Sequence, residues 1–507
     1  MFVRFGVGFD YDNRARRRQS GRNFAPGESV LHLACHFAGV EPMIVRLLSV
    51  WALCLLLCLA ACAGDDDDND NDESADDDAT PDDDNDTSTD DDATPDDDDD
   101  DTPGCDATRP PIVFAHGFLE EGDAFAAQSM RFAANGYCPE RIHAFDWNTL
   151  VYHADAQTRQ LDAFIDEVLA VDNAAQVELI GHSMGGGLGY DYLRDAARAA
   201  KVAHYVHVAS FDMGAAPASP PMLNLSSQAD YIAGTCDIDG AQNVLFDDLD
   251  HLELITSAKT FTEMYRFFND GEPPATTEIV PEENIELSGR TVVIGTNDPA
   301  PDYEIAVYRV DPATGERLSA EPDALLHSDA NGYWSGFAAA PNAYYEFACA
   351  DPDGMFPPLH YFREPFARSC DKVYFRVFPA GDSPLGLLLR LFPFRDRYAV
   401  CAWLNLTEAV VVGRNSFTVD GIDLVTPALA AADINTIVVG FFDINFNGAS
   451  DLTVAGGVLA MFPFIRVFDY LIPTDEREPI LFTFDGDTLA VPNLKSRSEG
   501  LVFAVFD

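Results

Sequence analysis

Basic residues are scarce in this chain of 507 residues. It holds 31 lysines and arginines against 85 aspartates and glutamates, which gives a formal net charge of −54 at pH 7. A surface with this excess of negative charge repels polyanions, so no nucleic-acid partner is expected. The charge is unevenly spread, because residues 65–101 contain 22 aspartates and one glutamate but no lysine or arginine.

This acidic segment also has too few apolar side chains to bury a core. Within residues 63–104, the run Asp76–Asp84 recurs as Asp90–Asp98. Low hydrophobicity combined with high net charge predicts disorder. Charge repulsion along the segment should extend it, so we expect a linker that acts as a spacer.

No two cysteines are spaced C-x-x-C, which argues against a zinc or redox centre. Six of the ten cysteines follow the linker: Cys105, Cys138, Cys236, Cys349, Cys370 and Cys401. In an oxidising compartment six cysteines permit three disulfides. Cys105 and Cys138 precede neighbouring predicted strands, so they are the first predicted pair.

The apolar stretch near the N-terminus is short for a spanning helix. Residues 43–62 have a charged start, an apolar centre and small residues before a cysteine, which is typical of an export signal. Leu59–Cys62 resembles the lipobox of bacterial lipoproteins, which implies that Cys62 is acylated and that the protein is lipid-anchored to the bacterial cell envelope, at the outer membrane or cell surface. A secretory signal cut nearby and a retained membrane helix are the alternatives. Within this leader, residues 1–62, Met43 is a candidate start.

Ser183 lies in the most informative stretch of the chain. An apolar strand, Val177–Ile180, leads into Gly-His-Ser-Met-Gly, and a helix-like stretch follows from Gly185 to Ala199. This order is the context of a nucleophile elbow, in which a tight strand-to-helix turn lifts a serine hydroxyl clear of the sheet. Ser183 is therefore the predicted nucleophile.

Partners for this serine follow in the required order. Upstream, a buried strand ends in His-Gly-Phe, which predicts that the amides of Phe118 and Met184 form an oxyanion hole. Downstream, Asp230 ends a predicted strand and His251 follows, giving the chain order serine, acid, histidine. Asp212 and Asp237 are alternatives for the acid.

At these residues the chain resembles the bacterial triacylglycerol lipases, especially the small lidless secreted type. The similarity rests on four motifs between about Pro110 and Phe268, which include Ser226–Ala233, Asp239–Val244 and Asp250–His251. It implies an α/β-hydrolase fold. It also implies a triad of Ser183, Asp230 and His251, with Phe118 and Met184 as oxyanion donors and no cofactor.

The hydrophobic pattern divides the exported part of the chain into three domains. Strands alternate with helices over 105–272, which predicts a doubly wound, mostly parallel sheet. Short β-rich runs then predict an immunoglobulin-like β-sandwich at 283–380 and a second β-rich domain at 383–507. This layout resembles certain thermophilic archaeal lipases whose C-terminal β-domain aids lipid binding. No capping domain fits between Asp212 and Pro221, so we expect an open site unless the C-terminal part covers it.

Two C-terminal stretches permit more than one interpretation. Asp443–Gly448 matches the start of a calcium loop, but its twelfth position is Val454, and a hairpin turn at Asn447-Gly448 is the alternative. Residues 385–394 and 461–468 are rich in leucine and phenylalanine. They suit either a β core or an apolar lip for acyl chains.

Together these features predict a carboxylic-ester hydrolase, a lipase that cleaves acylglycerol esters through a Ser-His-Asp acyl-enzyme mechanism. Its expected partners are a lipid or other ester substrate and the membrane that holds acylated Cys62. One alternative is an esterase acting on carbohydrate esters or polyesters. Another is a non-catalytic surface-adhesion lipoprotein with a hydrolase-like fold.

Overall fold

Strands alternate with helices in the first part of the protein. The strands are β1 Ile112–Ala115, β2 Ile142–Phe145, β3 Val177–His182, β4 Val202–Val208, β5 Met222–Ser227 and β6 Gln242–Phe246. The helices are α1 Ala126–Ala134, α2 Ala154–Val171, α3 Met184–Tyr192, α4 Ala196–Ala199, α5 Glu253–Thr256 and α6 Ala258–Phe268. All six strands pair in parallel in the order β2-β1-β3-β4-β5-β6. The predicted α/β fold is confirmed.

The structure, a computed structural model, describes most of the exported chain. It covers residues 105–507 apart from 391, 393, 428, 433, 457–463 and 476. Cys62, the predicted signal and the acidic linker lie outside the described residues. Within the described part, no helix is both long and apolar enough to cross a membrane.

Helices cover both faces of the parallel sheet. Phe132 of α1 and Phe261 of α6 pack in the core on one face, whereas Leu161 of α2 and Leu188 of α3 pack in the core on the other. The central strand β1 is buried on both faces and accordingly has only apolar side chains. Strand order reverses between β1 and β3, and ligands of open α/β sheets bind at the carboxyl ends of strands at such a point.

The C-terminal part is almost entirely β. Its elements are β7 Ile285–Val293, β8 Glu304–Val310, β9 Ala324–His327, β10 Tyr333–Ala339, β11 Tyr344–Ala350, β12 Leu359–Arg363, β13 Cys370–Val377, α7 Pro384–Leu389, β14 Cys401–Asn405, β15 Phe417–Val419, β16 Ile422–Asp423, β17 Val438–Phe442, β18 Ile465–Asp469, β19 Ile480–Phe484, β20 Asp487–Val491 and β21 Leu501–Phe506. They form sheets of three, eight and four strands. The eight-stranded sheet, β18-β17-β14-β21-β12-β11-β8-β9, takes strands from both C-terminal segments, and β12 and β21 join them in parallel.

Two local predictions for this part need correction, and one cysteine prediction is confirmed. Asn447-Gly448 does not close a hairpin, because β17 pairs in parallel with the following strand β18. Residues 384–389 form the helix α7 and not a β strand. Cys105 and Cys138 form a disulfide, while the other four cysteines of the described chain are free.

Candidate active site

The nucleophile turn has the strained backbone that its sequence predicts. Ser183 joins β3 to α3 with φ 52° and ψ −118°, outside the regions that a residue with a Cβ normally occupies. The amide of Ser183 donates a hydrogen bond of 2.9 Å to the carbonyl of Val208. The Ser210 hydroxyl donates one of 2.5 Å to the carbonyl of Ser183. These bonds hold the strained residue on both sides.

The glycines around Ser183 allow the backbone to turn this tightly. A Cβ on Gly181 would lie 2.5 Å from the carbonyl oxygen of Gly185, and a Cβ on Gly185 would lie 2.1 Å from that of Ala115. Only glycine fits where two backbones approach this closely. The G-x-S-x-G spacing thus packs the start of α3 against the end of β1.

His251 and Asp230 meet beside this turn. His251 Nδ1 lies 3.0 Å and 3.1 Å from the two carboxylate oxygens of Asp230. The carboxylate also accepts hydrogen bonds of 2.9 Å from the amides of Ile232 and Ala233. Both side chains are buried, at 3% exposure for His251 and 2% for Asp230. A carboxylate held in this way can fix the imidazole tautomer and stabilise the imidazolium.

The two groups shift each other's pKa. Burial alone would raise the pKa of Asp230, but the charge and hydrogen bond of His251, with the two amides, lower it below its usual range. Burial alone would lower the pKa of His251, but Asp230 and Glu120 together raise it above 6.5. The imidazole is therefore a stronger base than a free histidine.

The two alternative acids lie elsewhere. Asp212 is exposed, and its carboxylate accepts a hydrogen bond of 2.8 Å from the amide of Gly214. Asp237 is also exposed. Of these three candidate carboxylates, the structure brings Asp230 alone into contact with His251.

The predicted oxyanion donors lie close to the nucleophile. Met184 is the first residue of α3, so its amide has no partner within that helix. A Cβ on Gly117 would lie 2.8 Å from the Cβ of Ser183, which shows how closely the loop after β1 approaches the elbow. Phe118, Ser183 and His251 line one cavity of about 100 Å³. Within the described chain the Ser183 hydroxyl makes no hydrogen bond to His251, a bond that often tightens only with substrate.

Glu120 and His182 are the residues that the sequence reasoning missed. His182 Nδ1 lies 2.7 Å from Glu120 Oε2, and its Nε2 lies 3.1 Å from the backbone oxygen of His251. His182 belongs to the Gly-His-Ser-Met-Gly motif, but the motif gives no sign that a glutamate four residues after His116 reaches it. The folded loop alone creates this pair.

The described residues hold two groups that could ligate a metal ion. One is Glu120, His182 and His251, whose ligand atoms lie within 4.8 Å of one another. The other is Cys105, Cys138 and Glu140, but its two sulfurs are joined in the disulfide. The first group shares His251 with the candidate acid–base machinery, so a metal there would compete with proton transfer.

The C-terminal strands cover the site. The cavity at Ser183 has walls from the α/β part, residues 105–272, and from the β-rich part. The β-rich residues include Arg376, Leu404, Leu406, Val438 and Ile465. Ser183 itself is only 7% exposed. The α/β part has no capping domain over the site, as predicted from the short connection after β4. The β-rich part encloses the site instead.

A second, larger cavity adjoins the first. It measures about 250 Å³ and shares Leu119, Arg376, Leu404, Val438 and Ile465 with the cavity at Ser183. Its other walls are mainly apolar side chains of the β-rich part, among them Phe378, Leu389, Phe392, Phe394 and Phe442. The leucine- and phenylalanine-rich stretch at 385–394 thus helps to line a cavity.

Comparison with known families matches both parts of the chain. Residues 101–223 match the family model described as lecithin:cholesterol acyltransferase, and residues 283–379 match the lipase C-terminal domain. Each match covers less than half of the chain, so the two matches show what each part is similar to. The second match lies in the β-rich part, in the segment that includes β7 to β13.

Solved structures of lipases resemble the chain more distantly. The mature form of a Bacillus licheniformis lipase is 15% identical, with 32% of this chain and 94% of that chain covered at a TM-score of 0.26. Aspergillus fumigatus lipase B is 10% identical, with coverage of 34% and 56% and a TM-score of 0.26. A membrane phospholipase A described as a bacterial virulence factor is 14% identical, with coverage of 33% and 81% and a TM-score of 0.26. These similarities carry no information on the substrate of this chain.

Proposed function

We propose that this lipase-family protein is a serine carboxylic-ester hydrolase, a lipase that cleaves acylglycerol esters. The observation that carries the proposal is the contact of 3.0 Å between His251 Nδ1 and the Asp230 carboxylate, beside a cavity that both His251 and the strained Ser183 line. A non-catalytic adhesion protein has no need to keep a buried carboxylate, a histidine and a strained serine together.

The chemistry follows from these positions. Ser183 Oγ attacks the acyl carbonyl while His251 Nε2 takes the hydroxyl proton, and the amides of Phe118 and Met184 stabilise the oxyanion. His251 then returns the proton to the leaving alcohol, which departs and leaves an acyl-enzyme. Water, deprotonated by His251, hydrolyses that ester and regenerates Ser183. Asp230 keeps Nδ1 protonated throughout, and no cofactor takes part.

The adjoining cavity supports an acyl substrate with a long chain. Its walls are apolar and begin where the cavity at Ser183 ends, at Leu404, Val438 and Ile465. An acyl chain that leaves the ester carbonyl can enter this space and bury its methylene groups, each worth about 0.8 kcal/mol. A short-chain carbohydrate ester such as an acetate offers no such chain, so this cavity favours the lipase over an esterase of that kind.

A chain-length series of p-nitrophenyl esters, run beside an acetylated carbohydrate, tests the proposal. We expect kcat/KM to rise from short to long acyl chains. Ser183→Ala and His251→Ala should each lower the activity by about 10⁴-fold or more while the protein stays folded. Appreciable turnover by folded Ser183→Ala would overturn the mechanism, and a preference for the carbohydrate ester would overturn the substrate class.

The proposal extends to the membrane anchor. Two or more acyl chains hold a protein stably at a bilayer. Cys62 precedes an acidic linker, which contains no basic residues and can act as a spacer. Cys62→Ser should move the protein from the membrane fraction to the soluble fraction and leave its specific activity on a soluble ester unchanged. If the variant stays in the membrane fraction, residues 47–61 form a retained helix and the lipoprotein proposal fails.

A further inference from the structure

A Glu–His pair, in which His182 is buried and Glu120 is half-buried, connects three separate parts of the candidate site. Glu120 Oε2 accepts a hydrogen bond of 2.7 Å from the amide of Gly117, in the loop that carries the predicted oxyanion donor. The same oxygen lies 2.7 Å from His182 Nδ1, next to the nucleophile in the chain. The other ring nitrogen of His182 lies 3.1 Å from the backbone oxygen of His251. The reaction steps above use neither side chain.

Both hydrogen-bond partners of His182 are acceptors. The backbone oxygen of His251 can only accept a hydrogen bond. Burial alone would raise the pKa of Glu120, but the charge and hydrogen bond of His182, together with His251 and the amide of Gly117, lower it to about 2. Glu120 is therefore a carboxylate, which also can only accept. His182 thus bridges two acceptors, one in the loop after β1 and one in the backbone of the candidate base.

We propose that the hydrogen-bonded Glu120–His182 pair is a positioning device for ester hydrolysis. It ties the oxyanion loop and the backbone of His251 to the residue that precedes Ser183, and so sets the relative positions of nucleophile, base and oxyanion donor. The inference rests on the proposed function. It adds two positioning residues that the serine–histidine–acid pattern does not include.

Positioning of this kind affects turnover more than binding. A displacement of about 1 Å between reacting groups can cost on the order of 10²-fold in rate. Loss of the pair would leave the amide of Gly117 and the carbonyl of His251 without their partners, and both loops would relax. The negative charge of Glu120 also acts on His251, along with the charges of Asp230 and Asp250.

The same strand provides a matched control. At the amino end of β3, buried Glu178 lies 3.0 Å from His204 Nδ1 on the neighbouring strand β4. The two residue types match those of the Glu120–His182 pair, and Glu178 lies on the same strand as His182. Glu178 is five residues from Ser183, roughly 16 Å along the strand. A purely structural Glu–His pair should behave like this one.

The experiment compares Glu120→Gln with Glu178→Gln on a soluble short-chain ester. We expect both to lower the melting temperature. Glu120→Gln should in addition lower kcat by roughly 10- to 100-fold with KM little changed. It should also move the acidic limb of the kcat/KM profile to lower pH, because His251 loses one of the charges that raise its pKa. Glu178→Gln should change neither kcat nor the pH profile.

A double variant keeps the test decisive. Glu120→Gln/His182→Gln replaces the pair by two neutral amides, so neither member is left facing the wrong partner if Glu120→Gln alone does not fold. Because the pair acts as a unit, the double variant should lose no more turnover than the single variant.

The inference is overturned if folded Glu120→Gln, or the double variant in its place, keeps kcat within about twofold of the parent while losing stability as Glu178→Gln does. Failure of the proposed function looks different. In that case the parent protein itself hydrolyses no ester, whatever stands at Glu120.

Discussion

The α/β part and the β-rich part contribute to the site in different ways. Ser183, Asp230, His251 and the predicted oxyanion donors all come from loops at the carboxyl ends of the parallel strands. The β-rich part supplies no candidate nucleophile, base or acid. It supplies walls of the cavity and several buried hydrogen bonds to those same loops. The candidate catalytic groups thus come from one stretch of the chain, whereas the walls of the cavity come from both.

The loops after β1 and β2 are held by the first β-rich segment. Asn297 is buried, and its side-chain amide donates hydrogen bonds to the backbone oxygens of Glu120 at 2.8 Å and Trp147 at 3.2 Å. Arg376 of β13 forms two hydrogen bonds of 2.9 Å with the carboxylate of Asp123. The oxyanion loop therefore lies between its own sheet and the β-rich part.

The acid and histidine loops are held by the second segment. Asn435 accepts a hydrogen bond of 2.9 Å from the amide of Tyr231 and donates one of 3.4 Å to the carbonyl of Ala229, so it contacts both neighbours of Asp230. Asp250, which precedes His251, accepts one of 2.9 Å from the amide of Ala409. The β-rich part thus braces the loops of the candidate acid and histidine as well as lining the cavity at Ser183.

The largest expected effect distinguishes the candidate triad acid of the α/β part from the two alternative carboxylates. Asp230→Asn should lower kcat by roughly 10⁴-fold, because the amide favours the wrong imidazole tautomer. Asp212→Asn and Asp237→Asn should leave kcat nearly unchanged, since both carboxylates are exposed and neither contacts His251. Steady-state kinetics on a soluble ester measures all three. A severe loss in Asp212→Asn or Asp237→Asn would mean that the acid is assigned to the wrong residue.

The next effect tests whether the β-rich part braces the site. Asn435→Ala should lower kcat on a short soluble ester by roughly 10- to 100-fold, because the loop of Asp230 loses two hydrogen bonds. Asn493→Ala is the matched control. Asn493 is also buried in the β-rich part, but its amide bonds to the carbonyl of Pro473. It should lower the melting temperature without lowering kcat. Equal kcat in both variants would mean that the β-rich part encloses the site without bracing its loops.

A smaller effect tests the apolar cavity. Gly440 on β17 lines it, and a Cβ there would meet Val467 at 3.7 Å and 3.9 Å and the carbonyl oxygen of Arg466 at 4.0 Å, all ordinary contact distances. Gly440→Leu should fill part of the cavity and lower kcat/KM for long-chain esters by roughly tenfold relative to acetate esters. Gly440→Ala, which adds one carbon, should change the chain-length profile little. An unchanged profile in Gly440→Leu would show that acyl chains bind elsewhere.

The smallest effect is on pH dependence. His251 must be neutral to take the proton of Ser183, and its pKa lies above 6.5. Activity should therefore fall as the pH drops through that raised value. Stability depends on pH in the opposite direction. Protonation of His251 makes its full contribution to the stability of the fold below pH 6.5, and that contribution is lost as the pH rises through the pKa of the folded state. The pH profile of kcat/KM for the parent protein checks the first point, and an inflection below 6.5 would contradict it.

The parallel sheet and the elbow could be predicted from the sequence because each has a local pattern, and the disulfide because its cysteines precede neighbouring strands. Gly181 and Gly185 are required by close backbone contacts two residues from Ser183, so their spacing is visible in the chain. Asn435 contacts Tyr231 across 204 residues, and Glu120 contacts His182 across 62. Such contacts leave no periodic or spaced signature. The residues that brace the site were therefore beyond prediction from one sequence.

The central claim is that Ser183 is an activated nucleophile, and covalent labelling tests it most directly. The parent protein is treated with a serine-directed fluorophosphonate, and the modified peptide is identified by mass spectrometry. We expect one adduct, on Ser183, with labelling abolished in Ser183→Ala and strongly slowed in His251→Ala, because the imidazole activates the hydroxyl. A folded parent protein that takes no label at Ser183, or that is labelled equally well after Ser183→Ala, would contradict the claim.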